Sequence, residues 1–416
     1  MNKRLTLLLA SSAVALAAFA DSSVSDVVAR QRWPWSETVD IDFTVTGDAT
    51  DVDFTATWDG QQTPVFLGTA FLASAGQHRF EWCPTNDYAG QTLTGFAVNA
   101  SVAAAADHKY LVLDLENGGY SFLSAVPEGG WTLDHKSRKM VFARIPAGTY
   151  SLGYTETQLT YLNYGVTPNS YYITAYGPRT ATFSSDFYIA IYKLSNAQYN
   201  VATGEAAGYD YKAKPLTYDE IRGTTNVVCW PDTKYAVAAD SFAARLRAKA
   251  RGALLIDLPE EEQWEAAARA GTTTFWPNGG TDSDSYATLT NYVNAIAYWK
   301  GGGQQTPSGY AVGMKAASGF GLYDIVGLGY TEWTLDSAVG VNSSSSIPKL
   351  GLQDSVDPVG AAFSGKRVVR SQSGASRNTD VSIYNMGLMY RQLVDQNYAG
   401  TSVRFTIHLK PLNFGN

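Results

Sequence analysis

Residues 258–271, LPEEEQWEAAARAG, constrain this chain more than any other stretch. Pro259 suits a helix start, because the first backbone N–H groups have no intrahelical partner to lose. Glu260, Glu261 and Glu262 crowd the first turn, where negative charge meets the positive end of the helix dipole. Trp264, Ala267 and Ala268 recur at spacings of three and four and form one apolar stripe. Arg269 and Gly271 close the segment as a helix end requires. Propensity alone places this helix on the surface, with its charges toward water.

The rest of the chain is richer in turns and rings than in charge. Of 416 residues, 38 are Gly and 13% are aromatic, while the charged fraction of 17% falls below the ordinary level of about 25%. That mix implies a loop-rich, β-containing fold held by aromatic packing, and the length allows two or more domains. A net charge of -7 argues against nucleic acid, which needs a basic face to displace counterions.

Lys3 and Arg4, an apolar run over residues 5–16 and Ala18-Phe19-Ala20 before Asp21 read as a signal peptide over residues 1–20. Export to the periplasm or the extracellular space is expected. The apolar run is shorter than the roughly 20 residues a membrane span needs. Cys83 and Cys229 could pair in an oxidising compartment. Because they fall in different expected domains, two separate buried thiols are the reading taken here.

Period-two alternation marks residues 39–45 and 52–58, each followed by turn residues, and continues through 78–82 and 93–98. A small, immunoglobulin-like β-sandwich is therefore expected over residues 21–108. Residues 109–138 read as a connecting strand and linker, and 139–412 as a larger α+β domain.

Several strings in that larger region occur in a telling order. Residues 258–271 resemble L-P-T-E-A-E-W-E-x-A-A-R-A-G, the signature of the formylglycine-generating enzyme (sulfatase-modifying factor) family. Residues 145–153 resemble I-P-A-G-T-F-x-M-G. Asp186-Phe187-Tyr188-Ile189, followed by Lys193-Leu194-Ser195 and Gln198-Tyr199, is similar to D-F-Y-I-x-x-x-E-V-T-x-x-Q-Y. Gly321-Leu322-Tyr323-Asp324-Ile325 is similar to G-L-Y-D-M, and Glu332-Trp333-Thr334 to the end of G-N-V-W-E-W-T. Arg367-Val368-Val369-Arg370 and Ser402-Val403-Arg404 complete the order. The resemblance implies an α+β, C-type-lectin-like fold with little regular secondary structure. It also implies an oxidase that converts a sulfatase cysteine to formylglycine with copper held by two C-terminal cysteines.

The departures matter for function. After R-V-x-R the family reads G-G-S and then carries two cysteines, whereas this chain reads Arg370-Ser371-Gln372-Ser373-Gly374-Ala375-Ser376-Arg377-Asn378. Cu(I) is soft and selects thiolates, so copper and formylglycine chemistry are not expected. His78, His108, His135 and His408 are scattered without ligand spacing, which argues against an iron enzyme of this fold. The resemblance also implies calcium, a hard cation that takes oxygen ligands. Asn291 matches the family's A-N-x position and Glu332 the glutamate of W-E-W, so these two are the candidate metal ligands. The asparagine of G-N-V-W has no counterpart in Gly327-Leu328-Gly329-Tyr330-Thr331. A loop-capping Asn291 and a salt bridge from Glu332 to Arg370 or Arg404 stand as the alternative.

The segment between Arg370 and Arg404 is rich in Tyr, Ser, Asn and Gly, residue types suited to adaptable recognition surfaces. Arg377, Asn378, Tyr384, Asn385, Tyr390, Gln392 and Tyr398 are the candidate ligand-binding residues, with a protein or glycan as partner. Three functions follow from the resemblance. The first is an exported, catalytically inactive binding protein. The others are a sulfatase-maturation enzyme with an unfamiliar mechanism, and a receptor-like protein whose C-terminal segment is diversified by a retroelement.

Overall fold

Between Ser23 and Ala103, alternating side chains become six strands: β1 (Ser23–Gln31), β2 (Val39–Thr46), β3 (Thr50–Thr57), β4 (Val65–Ala73), β5 (Gly76–Trp82) and β6 (Ala97–Ala103). They pair as two antiparallel sheets, β1-β2-β5 and β4-β3-β6. Ile41, Phe43 and Val45 from one sheet and Val52, Phe54 and Ala70 from the other share one core. Phe43 and Phe54 meet edge to face there, 5.0 Å between centroids. Two strands escape the alternation rule. β1 carries an irregularity between Ser25 and Val28, with Asp26 at a φ of 52°, and β4 is an apolar run whose register shifts twice. The strand expected over 93–98 begins only at Ala97.

This computed structural model describes residues 22–33, 36–61, 63–162, 176–224, 235–300, 303, 307–337, 354–358, 365–371, 386–388 and 390–409. Those up to Ala103 form one unit, and those within Ala104–Lys410 form another. No helix among them is long and apolar enough to cross a membrane.

The second unit is α+β and mostly sheet. Its strands are β7 (Tyr110–Asp114), β8 (Tyr120–Leu123), β9 (Lys139–Ile145), β10 (Gly148–Leu152), β11 (Arg179–Phe183), β12 (Phe187–Ala190) and β13 (Ile256–Asp257). They continue with β14 (Thr331–Ser337), β15 (Ser355–Val356), β16 (Arg367–Arg370), β17 (Arg391–Val394), β18 (Thr401–Ser402) and β19 (Thr406–His408). The largest sheet runs β13-β19-β12-β9-β7-β8, so the segment expected as a connecting strand and linker supplies two of its strands. Tyr110, Leu111, Val112 and Leu113 are all buried, as an unbroken apolar run in a covered strand should be. A second sheet, β17-β16-β14-β18, carries the C-terminal segments.

The helix Glu261–Arg269 forms as its sequence requires. Glu260 caps it, its backbone N–H donating to Gln263 Oε1 at 3.0 Å. Ala270 (φ 50°) and Gly271 (φ 82°) end it in the left-handed region. Its environment reverses the surface expectation: Glu261, Gln263, Trp264, Glu265, all three alanines and Arg269 are buried against β10, β14 and β16. The charges are inside because each finds an opposite charge there.

Candidate functional site

Residues four apart lie on one face of a helix, so Glu261, Glu265 and Arg269 project together. Arg370, the last residue of β16, reaches both acids: Nη1 donates to Glu261 Oε1 at 2.7 Å and Nη2 to Glu265 Oε2 at 2.9 Å. Arg391, opposite Arg370 in the β16–β17 ladder, pairs with Glu261 as well. Arg269 Nε meets Glu265 Oε1 at 2.8 Å, Arg179 Nη2 meets Oε2 at 3.3 Å, and Gly153 N–H donates to Oε1 at 2.7 Å. Burial pushes the Glu265 carboxyl up, but Arg370, Arg269, Arg179 and the Gly153 N–H outweigh it and hold the group well below the usual carboxylate range. Taking such ions out of water costs several kcal/mol each, repaid only when geometry and hydrogen bonds are nearly complete.

A second node joins the same helix to β14. Glu332 Oε2 accepts from Trp264 Nε1 at 2.7 Å and Arg404 Nε at 3.0 Å, and its Oε1 accepts from Arg404 Nη2 at 3.1 Å. Lys193 Nζ lies 3.6 Å from Oε1. Of the two arginines open to Glu332 in the sequence, the structure selects Arg404, although Arg370 is its neighbour in the ladder. A third node holds Asp257 between Arg222 and Arg247 at 2.7 and 3.2 Å.

The two candidate metal ligands stand in different surroundings. Glu332 is wholly buried and its oxygens are engaged by Arg404 and Trp264, whereas Asn291 is exposed on the helix Tyr286–Ile296. Among the described residues, no cluster of His, Cys, Asp or Glu is arranged to hold a metal ion.

Of the candidate ligand-binding residues, Arg377, Asn378, Tyr384 and Asn385 lie outside the described residues. Tyr390 and Gln392 are half-buried beside and on β17, alternating with inward Arg391, and Tyr398 is exposed. The flanks of residues 372–385 are firmly held. Ser371 is buried with a φ of 70°. Beyond the segment, Met386 O accepts from Trp276 Nε1 at 2.7 Å and Leu388 N–H donates to the Tyr154 hydroxyl at 2.9 Å. Leu388 O also accepts from Arg370 at 2.8 Å, tying this flank to the charge frame. Sequence reasoning offered the Glu332–Arg404 pair but missed the cluster on Glu261 and Glu265; the signal for it was a Glu-Glu-Arg series at four-residue spacing on a helix that also carries Trp264.

Among protein-family models, the Sulfatase-modifying factor enzyme 1-like domain matches residues 133–396. That range holds the signature helix and the four arginines that clasp its acids. No curated protein matches the chain.

Proposed function

The chain belongs to the sulfatase-modifying factor family, and from that premise we propose that it is an exported member that has lost the oxidase chemistry and binds a protein or glycan partner. One mismatch carries this reading. The buried ion pairs around Glu261, Glu265 and Glu332 are in place, yet the segment after Arg370 offers hydroxyls where the family motif offers sulfur. Hydroxyls of Ser371, Ser373 or Ser376 are poor donors to a soft monovalent metal. A scaffold kept without its metal ligands serves recognition, since irregular loops on a rigid support are the common arrangement for binding.

The partner-facing residues in this reading are Arg377, Asn378, Tyr384, Asn385, Tyr390, Gln392 and Tyr398. Tyrosine brings large amphipathic contact area at small entropic cost. The first unit, with its two three-stranded sheets around one core, is read as an immunoglobulin-like spacer or interaction module. Residues 1–20 are read as the export signal.

The deciding experiment incubates the full chain with a Cys-x-Pro-x-Arg peptide, copper and a reductant, followed by mass spectrometry. The peptide is expected to keep its cysteine; an aldehyde product refutes the proposal. In a second experiment, Tyr384→Ala, Tyr390→Ala and Tyr398→Ala together should abolish retention on a glycan or protein array while leaving melting nearly unchanged. A collapse of melting would instead make these tyrosines part of the core.

A further inference from the structure

One buried cation sits where oxygen atoms converge as they do around a metal ion. Lys193 follows β12 and is completely buried. Its Nζ donates to the carbonyl oxygen of Tyr330 at 2.6 Å and to that of Gly327 at 3.0 Å, and lies 3.6 Å from Glu332 Oε1. Backbone carbonyls and a carboxylate are the donors that hard cations take. The loop is shaped to present them. Gly327, Leu328 and Gly329 all adopt left-handed backbone, with φ of 80°, 59° and 84°. A side chain at Gly327 would collide with the Tyr298 carbonyl, and one at Gly329 with the Ser308 backbone. A leucine held left-handed is costly, so the surroundings must enforce this turn.

We propose that the Lys193 ammonium is a built-in substitute for a metal ion, filling the cation position of the 327–332 turn and freeing the domain from calcium there. Charge counting supports the assignment. Arg404 already neutralises Glu332 through two hydrogen bonds, so the ammonium leaves one positive charge on this trio, and a divalent ion would leave two. In water-free surroundings the second charge is severely disfavoured. Asp324 is the other acid within electrostatic reach of Lys193. Its carboxyl is buried, and its Oδ1 has no hydrogen-bond partner. This assignment stands whether or not the partner-binding reading holds.

The test compares melting of the full chain as wild type and as Lys193→Ala, each in chelator, in millimolar calcium and in n-propylammonium, which replaces the deleted atoms. Wild type should melt at the same temperature in all three. Lys193→Ala should melt roughly 5–10 °C lower, because two carbonyls lose their donor, and should regain at least half of that loss with n-propylammonium but not with calcium. A variant as stable as wild type overturns the proposal, as does one rescued by calcium in preference to the amine. Should Lys193→Ala fail to fold, calcium titration calorimetry on wild type decides. A flat trace supports the proposal, and a one-to-one heat that Glu332→Gln removes overturns it.

Discussion

The two units treat charge in opposite ways. In the first, Arg30, Arg32 and Arg79 face Asp40, Asp42 and Glu81 across β1, β2 and β5, and the Arg30 and Glu81 side chains are 58% and 59% exposed. In the second, Arg370, Arg391, Arg269 and Arg179 close on Glu261 and Glu265, and none of these side chains exceeds 3% exposure. Pairs of the first kind contribute about 0–1 kcal/mol, since water screens them and long side chains must be held still. Pairs of the second kind are built at a large desolvation cost, and removing one partner strands the other in a dry interior. In the first unit, the core lies between the apolar faces of the sheets, and of Asp40, Asp42 and Glu81 only Asp40 is buried. In the second, the charges specify how the helix Glu261–Arg269 docks on β14 and β16.

Breaking one member of each set gives the largest contrast. Arg370→Ala should cost about 3–5 kcal/mol, because Glu261 and Glu265 lose a shared donor, lowering the second unit's melting by roughly 10 °C. Asp42→Ala should cost under about 1 kcal/mol. Calorimetry on the full chain reads both, and equal losses would erase the distinction drawn here.

Acid sharpens the same comparison. Glu265 is held well below its ordinary value of 4.5, so its contribution is full above that value and is lost as pH falls beneath it. The second unit's transition should therefore move down more steeply than the first's on acidification below about 4.5. Parallel shifts would contradict this. Asp336 runs the other way. Its Oδ2 accepts from the Glu261 N–H at 2.6 Å, and burial with Glu262 and Glu260 nearby pushes its carboxyl well up. Its stabilisation is present below its ordinary value of 3.8 and lost as pH rises. Asp336→Asn, which keeps the acceptor, should raise melting at pH 7 by roughly 3 °C and change it little near pH 4. An equal shift at both pH values would remove the charge argument.

The smallest effect concerns Ser371, which stands left-handed where the family motif has glycine. Ser371→Gly should stabilise by about 0.5–1 kcal/mol; a loss would mean that the side chain's own contacts outweigh the backbone strain.

The sequence carried much of this, unevenly. β2, β3 and β5 were legible because one face of each is buried and the other is not. The helix Glu261–Arg269 was legible as an element, from its acidic first turn and Trp-Ala stripe, while its burial was not. No local rule tells that Glu265 will meet Arg370, since a partner 105 residues away is set by tertiary packing. Lys193 is the extreme case, for its acceptors lie 134 and 137 residues downstream and are backbone atoms without sequence identity. The strand expected at the start of residues 109–138 is β7, legible from its unbroken apolar run, while its place inside the main sheet is set by pairing with β9 further along the chain.

The most direct measurement is a Cu(I) competition titration of the full chain against a chromophoric chelator. The account predicts that the protein withdraws no copper, since the segment following Arg370 lacks thiolates. Withdrawal of one equivalent, abolished by Cys229→Ser, would show that a thiol from elsewhere in the chain serves the site and that the chemistry was kept.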